Sequence, residues 1–227
     1  MEEENVTFIL SFLFVILILV SAFLQASDNA LKKIICPGLT ACCGLLVLYG
    51  AVSGTAPLLL GVVLSVALLF LALSDFTFER SETNPDLFPL AMIFGVISGF
   101  IIGITFNVAA ILKGISPLVH LVILVIAVIA AVLVCGYLKV EGALKIPVII
   151  YLVQAVILLA GGLASLYTGN IYFAIWGIFL FVSDSLVGVR AFPNPEKPIR
   201  WLNQSRILFA IIVIYYAAQY ALVSWAL

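Results

Sequence analysis

Long apolar stretches follow one another along almost the whole chain, and they constrain its fold more than any other feature. Hydrophobic residues make up 65% of the 227 residues and charged residues only 9%, against about 25% charged residues in an ordinary soluble domain. Too few polar side chains remain to cover a water-soluble surface. The composition therefore predicts a polytopic membrane protein, with residues 1–227 forming a single integral membrane domain.

Each apolar stretch is long enough to cross a bilayer as a helix, which takes about 20 residues. Lipid offers no partners to backbone polar groups, so only helices or closed barrels can span it. The stretches do not alternate between apolar and polar residues, as the strands of a membrane barrel would. We therefore predict an all-α membrane helical bundle with eight transmembrane helices. Their approximate bounds are 6–25, 33–50, 57–77, 88–111, 117–138, 144–167, 171–190 and 204–226.

The basic residues indicate which way this bundle faces. Of the ten Lys and Arg residues, all but Lys113 fall on one side of the predicted bundle. They are Lys32, Lys33, Arg80, Lys139, Lys145, Arg190, Lys197, Arg200 and Arg206. Because cytoplasmic loops are enriched in Lys and Arg, we expect the basic loops to be cytoplasmic and both termini to be non-cytoplasmic.

Two pairs of similar segments suggest an internal duplication. FLALSD (70–75) in the third helix is similar to FLFVSD (179–184) in the seventh. The second helix opens with ALKKIICP (30–37) and the sixth with ALKIP (143–147). Two halves of four helices each would run in the same direction, giving a possible parallel 4+4 repeat. Chance similarity between short apolar segments is the alternative.

Two aspartates, Asp75 and Asp184, lie inside the predicted third and seventh helices. A carboxylate in the hydrocarbon costs about 2.5–3.5 kcal/mol on insertion scales, so such residues usually face the bundle interior and serve a function. Asp75 lies five residues before Arg80, and Asp184 lies six before Arg190. Each carboxyl is therefore about 8–9 Å along the helix from a basic residue on the same side. We expect both acids at one depth, where they could face each other across a cavity.

A pair of carboxyl groups in a partly dry site can divide the roles of acid and base. One group stays protonated while the other is ionised, and this is what general acid and general base catalysis requires. Two alternatives stay open at this point. The acids could be packing or capping groups bonded to Ser, Tyr or Lys, or they could form a proton or cation pathway.

Polar residues near the acids complete a candidate substrate-binding site. Ser74 and Ser183 directly precede the acids, and Tyr215 and Gln219 share one face of the eighth helix. Gln219 lies roughly 20 Å along its helix from the basic side, so it would need a deep cavity or a kinked helix to reach the acids. The other candidates are Tyr151, Asn107, Lys33 and Arg190. The last two lie at a basic rim that could bind a lipid phosphate or simply anchor the helix ends.

Metal, cofactor and nucleic acid are not expected as partners. His120 is the only histidine, and it cannot form a zinc site alone. A net charge of −1 provides no basic field for a phosphate backbone. The expected partners are membrane lipids and a lipid substrate, and the oligomeric state stays open.

At these motifs the chain resembles the YhhN family of lysoplasmalogenase-like membrane proteins, over essentially its whole length. The strongest matches are GIFLFVSDSL (177–186) and YYAAQY (215–220). FLALSD (70–75) matches the place where the family usually has Gly-Asp, with Ser74 in place of the glycine. The resemblance supports the same eight-helix architecture.

The chain also departs from the family pattern. Lys33, followed by Pro37, is only loosely similar to the family's Lys-Pro. The histidine and tyrosine that the family often has in the fourth helix correspond here to Ile104 and Asn107. These departures leave the two aspartates in place and concern the details of substrate binding.

The resemblance implies hydrolysis of the vinyl ether bond of lysoplasmalogen, a lysophospholipid, to a fatty aldehyde and glycerophospho-ethanolamine or -choline. Two carboxyl groups suit this chemistry, because one can protonate the alkene and the other can activate water. The residues do not decide which acid does which. We take Asp184 as the proton donor and Asp75 as the base. The alternative function is a small-molecule or proton-coupled membrane transporter, which the possible repeat favours.

Overall fold

The computed structural model describes residues 2–26, 31–195 and 204–227. Within these residues the chain is helical, without strands, and two short 3-10 turns precede α4 and α6. The helices are α1 (Glu2–Ala26), α2 (Lys32–Ser53), α3 (Leu58–Ser81), α4 (Phe88–Leu112), α5 (Pro117–Tyr137), α6 (Lys145–Tyr167), α7 (Ile171–Ala191) and α8 (Gln204–Ala226). The prediction of an all-α protein is confirmed.

Helices α2 to α8 are each long and apolar enough to cross a membrane, among the residues that the structure describes. In α1, whose side chains are described from Phe12 to Gln25, these residues form an apolar helical stretch. These helices indicate an integral membrane protein. The count of eight spans, the sidedness of the loops and the 4+4 repeat stay predictions.

Helix α3 is longer than predicted at its C-terminal end. The predicted helix ended at residue 77, whereas α3 continues to Ser81. Glu79 is therefore a second acid within α3, after Asp75, and its side chain is buried. The predicted spans contained only two acids, Asp75 and Asp184, because the predicted third span ended before Glu79.

Six helices pack side by side in the order α2, α3, α4, α6, α7, α8, and α8 packs back against α2. Helix α1 packs mainly on α8, and α5 packs on α6. In this ring α3 and α7, the helices that carry the two aspartates, lie opposite each other. Most side chains of α5 are exposed and apolar, as expected for a peripheral helix that faces lipid.

The helix ends that carry the basic loops meet at one end of the bundle, which we call the basic end. Lys32, at the start of α2, forms an ion pair with Glu82 just beyond α3, with 2.9 Å between Nζ and Oε2. The backbone N–H of Lys139 donates to the carbonyl of Phe192 at 3.3 Å, joining the connections that follow α5 and α7. Lys197, Arg200 and the side chain of Arg206 lie outside the described residues.

The opposite end of the bundle is tightly closed. Thr55 Oγ1 donates to the carbonyl oxygens of Gly50 at 2.8 Å and Ala226 at 2.7 Å, which ties the ends of α2 and α8 together. Aromatic rings fill the interior on this side. Phe106 stacks on Phe173 at a centroid distance of 4.2 Å and meets Trp176 edge-on at 5.6 Å. The space inside the ring therefore lies toward the basic end.

Small residues allow the close approach of neighbouring helices, a common solution in membrane bundles. Gly162 of α6 and Gly177 of α7 face each other directly. A Cβ atom added at Gly177 would lie 2.8 Å from Gly162 Cα. This contact sets the spacing between α6 and α7, and hence the position of polar residues further along both helices.

Candidate active site

A cavity of about 130 Å³ lies within the basic half of the ring. Asp75 of α3 and Asp184 of α7 are both in its wall, together with Tyr151 of α6 and Tyr215 of α8. We call it the polar cavity. Four helices of the ring thus contribute polar side chains to one cavity. Both aspartates are half-buried, so their carboxyl groups are reached from the cavity rather than sealed in the core.

Asp75 is held by two hydroxyl groups. Thr40 Oγ1 donates to Asp75 Oδ2 at 2.6 Å, and the Tyr215 hydroxyl donates to the same oxygen at 2.7 Å. The Thr40 and Tyr215 oxygens are themselves 3.3 Å apart. Since both bonds go to Oδ2, the other oxygen, Oδ1, makes no hydrogen bond with any described residue. One carboxyl oxygen is therefore held in place, and the other can form a hydrogen bond with a molecule in the cavity.

No described residue donates a hydrogen bond to Asp184. Tyr151 and Asp75 are its polar neighbours in the cavity wall. Neither aspartate forms an ion pair with a described Lys or Arg side chain. Two carboxyl groups that share a cavity without a neutralising cation favour a state in which one of them holds a proton.

A second cavity, of about 110 Å³, adjoins the polar cavity. We call it the apolar cavity, because hydrophobic side chains line most of it. They include Phe88, Met92, Leu138, Val148 and Phe181. Ser74, Phe78, Tyr151, Asp184 and Val187 line both cavities. Among the described residues, Asp184 is thus the only one with a carboxyl group on the wall that the two cavities share.

We compared the chain with models of protein families, with curated proteins and with solved structures. The model described as the YhhN family matches residues 40–225, which is most of the chain. The chain belongs to the YhhN family. No curated protein matches it, and no solved structure does. The matched segment contains both aspartates, the two hydroxyl donors to Asp75, which are Thr40 and Tyr215, and also Tyr151.

In this YhhN-family chain, the serines before the two aspartates bond to neighbouring helices. Ser74 Oγ donates to the carbonyl oxygen of Ala91 in α4 at 2.8 Å. Ser183 Oγ donates to the carbonyl oxygen of Ile211 in α8 at 3.3 Å. Both serines contribute to the cavity wall. Their hydroxyl groups hold α3 and α7 against the next helix of the ring, and so help to position the acids that follow them.

Three predicted substrate-binding residues of this YhhN-family member do not line either cavity. Gln219 is fully buried beyond the cavities, where its Oε1 accepts from Trp176 Nε1 at 3.4 Å. Asn107 Nδ2 donates to the carbonyl oxygens of Gly103 at 2.7 Å and Ile157 at 2.9 Å, which joins α4 to α6. Lys33 is half-buried near the start of α2.

Arg190 is the predicted rim residue that does line the polar cavity. It lies near the basic end, close enough to Glu79 for their opposite charges to attract. Gln25 of α1 donates through Nε2 to Glu79 Oε1, and Lys32 lies 4.0 Å from Glu79 Oε2. Gln25, Glu79 and Arg190 thus line the polar cavity toward the basic end.

Sequence reasoning missed two site residues, Thr40 and Glu79. Thr40 lies four residues after Cys36 on the buried face of α2, and this periodicity was the available signal. It is a weak one, because a threonine hydroxyl in a membrane helix often bonds to its own backbone, as Thr105 does to Ile101. Glu79 was missed because the predicted third helix ended too early.

The described residues contain no group of three or more His, Cys, Asp or Glu side chains that could hold a metal ion. The four cysteines are free thiols. The chemistry that the side chains of the polar cavity can supply is proton transfer by carboxyl and hydroxyl groups.

Proposed function

We propose that this YhhN-family protein hydrolyses the vinyl ether bond of a lysoplasmalogen, releasing a fatty aldehyde and glycerophospho-ethanolamine or -choline. One observation carries the proposal: two carboxyl groups line one cavity, neither forms an ion pair with a described Lys or Arg, and two hydroxyl groups hold Asp75 in place. A vinyl ether needs one acid and one base for its hydrolysis, and no metal or organic cofactor.

The chemistry proceeds by four proton transfers. The protonated carboxyl group first gives its proton to the alkene carbon distal to the ether oxygen, and the π electrons form the new C–H bond. The resulting oxocarbenium ion is stabilised by the two carboxylates. Water then adds to the cationic carbon while the second carboxylate takes its proton. In the hemiacetal, this second acid protonates the leaving glycerol oxygen as the first carboxylate removes the hydroxyl proton, which restores both groups.

The charged rim suits a phospholipid headgroup. Arg190 can bind the phosphate, since guanidinium groups are well matched to phosphate oxygens. The substrate would then lie with its headgroup at the basic end and its ether near the aspartates. We infer that this end is cytoplasmic, because it carries the Lys- and Arg-rich loops.

The closed far end of the bundle favours a hydrolase over a carrier. A carrier binds its substrate near the bilayer midplane and opens to both sides. Here the polar cavity adjoins the basic end, and Trp176, Phe106 and Phe173 fill the interior beyond it. A lipid hydrolase needs access from one side only.

The proposal is tested with purified protein in detergent, supplied with a lysoplasmalogen and, separately, with its saturated alkyl ether analogue. Aldehyde is expected from the lysoplasmalogen alone, because the saturated ether has no alkene to protonate. In D₂O, the aldehyde trapped by reduction should carry deuterium on the carbon next to the former carbonyl. Folded protein that releases no aldehyde would overturn the proposal, as would equal cleavage of the saturated ether.

Removing either hydroxyl donor to Asp75 should slow this reaction. We expect Tyr215→Phe and Thr40→Val each to lower kcat by about 10- to 100-fold, the usual consequence of losing a hydrogen bond to a charged group. The rate of aldehyde release measures the effect. Tyr172→Phe and Thr105→Val are matched controls, since Tyr172 is exposed and Thr105 bonds only within its own helix. Equal rates in all four variants would show that these hydroxyl groups do not act on Asp75.

A further inference from the structure

The apolar cavity lies beside the reacting groups but has no part in the proton transfers described above. Residues of α4, α6 and α7 form most of its wall, and Leu138 closes it at the end of α5. Asp184, on the wall shared with the polar cavity, is the only described residue of its lining that carries a carboxyl group. Asp75 lines the polar cavity but not the apolar cavity. A molecule that extends from one cavity into the other crosses a boundary that includes Asp184.

A vinyl ether lipid has a polar part and an apolar part that adjoin each other, as the two cavities do. Its ether oxygen, glycerol and phosphate are polar, and the chain that begins with the alkene is apolar. The bond that reacts lies at the boundary between these two parts. If the headgroup of a substrate lies near Arg190 and its ether lies between the aspartates, its chain would enter the apolar cavity next to Asp184.

We propose that the apolar cavity binds the first carbons of the alkenyl chain, and that Gly188 and Ala191 of α7 keep it open. This inference rests on the proposed function, because it assigns the chain of that substrate. It also gives the two acids their roles. Asp184 faces the chain side and donates the proton to the distal alkene carbon. Asp75, held in the polar cavity by Thr40 and Tyr215, takes the proton from water.

Gly188 is the position at which the proposal can be tested most directly. A Cβ atom added there would meet only the methyl groups of Leu138, at 3.4 and 3.7 Å, which are ordinary contacts. Gly188→Leu can therefore fill the apolar cavity without a backbone clash. Ala191→Phe is a second filling variant at an exposed position of the same wall, where folding should tolerate the larger side chain.

The probe is a saturated alkyl ether lysophospholipid that carries a diazirine on the chain carbons nearest the ether. This lipid cannot undergo the proposed reaction, so its binding is measured independently of hydrolysis. We expect photolabelling of wild-type protein in α4, α6 and α7 around the apolar cavity. Gly188→Leu should weaken probe binding about tenfold, since a leucine side chain displaces two or more methylene groups of the chain. Ala191→Phe should act in the same direction.

Gly136→Leu is the matched control, because Gly136 of α5 is exposed and a Cβ atom added there would have nothing within 4 Å. It should bind the probe like wild type. Labelling in α1, α2 or α8, or unchanged binding in both filling variants, would overturn the inference. Equally strong competition by a diacyl phospholipid would also overturn it, since the occupant would then be an ordinary membrane lipid. Probe binding that responds as expected in a protein that releases no aldehyde would refute the proposed function and retain the chain site.

Discussion

Replacing either Asp75 or Asp184 with Asn is expected to lower aldehyde release by about 10²–10⁴-fold, the usual contribution of one general acid or base. Asparagine keeps the shape of the side chain but can neither give up nor accept the proton at the reacting atom. The rate is measured with purified protein and saturating lysoplasmalogen. The double variant should be little slower than the slower single variant, because the two acids act in one sequence of proton transfers.

The control for these variants is Asp86→Asn. Asp86 is exposed in the short turn Pro85–Leu87 before α4 and lines neither cavity, so the same change of chemistry occurs outside the site. It should keep the wild-type rate. Binding of the saturated ether probe should persist in both active-site variants, which shows that they are folded. Full activity in a folded Asp75→Asn or Asp184→Asn variant would exclude the two-carboxyl mechanism.

The overall fold was predictable because a bilayer permits few solutions. Apolar stretches of about 20 residues can cross it only as helices, and the turns between them are marked by Gly, Pro and Asn. Placing a carboxyl group in an apolar membrane helix costs free energy, so such a residue usually serves a function. This reasoning indicated Asp75 and Asp184. Their common depth followed from helix rise alone.

The partners of the acids were harder to predict, because they depend on how helices distant in sequence pack together. Thr40 and Asp75 are 35 residues apart, and Tyr215 and Asp75 are 140 apart. Tyr215 bonds to Asp75, whereas Gln219 lies one turn deeper and bonds to Trp176. Nothing in the sequence of the eighth helix distinguishes these two residues. Asn107 was singled out for its polarity, yet its amide bonds to backbone carbonyls of α4 and α6.

The contact between α6 and α7 shows how packing far from the acids controls the site. Gly177 lies seven residues before Asp184, two helical turns away on the same face of α7. We expect Gly177→Leu to destabilise the protein by about 1–3 kcal/mol or more, the usual cost of overpacking. The reason is that a side chain there would meet Gly162 Cα at 2.8 Å and the Leu158 carbonyl oxygen at 3.0 Å. Both are backbone atoms, so relief requires α6 and α7 to separate.

Such a separation would move Asp184 away from Tyr151 of α6, and a displacement of about 1 Å can cost about 10²-fold in rate. Gly177→Leu should therefore lose activity even at temperatures where it stays folded. Thermal unfolding in detergent and aldehyde release measure the two effects. Gly38→Leu is the control, because a Cβ atom at Gly38 has nothing within 4 Å. If Gly177→Leu kept the stability and rate of the wild type, the glycine contact would not set the distance between α7, which carries Asp184, and α6, which carries Tyr151.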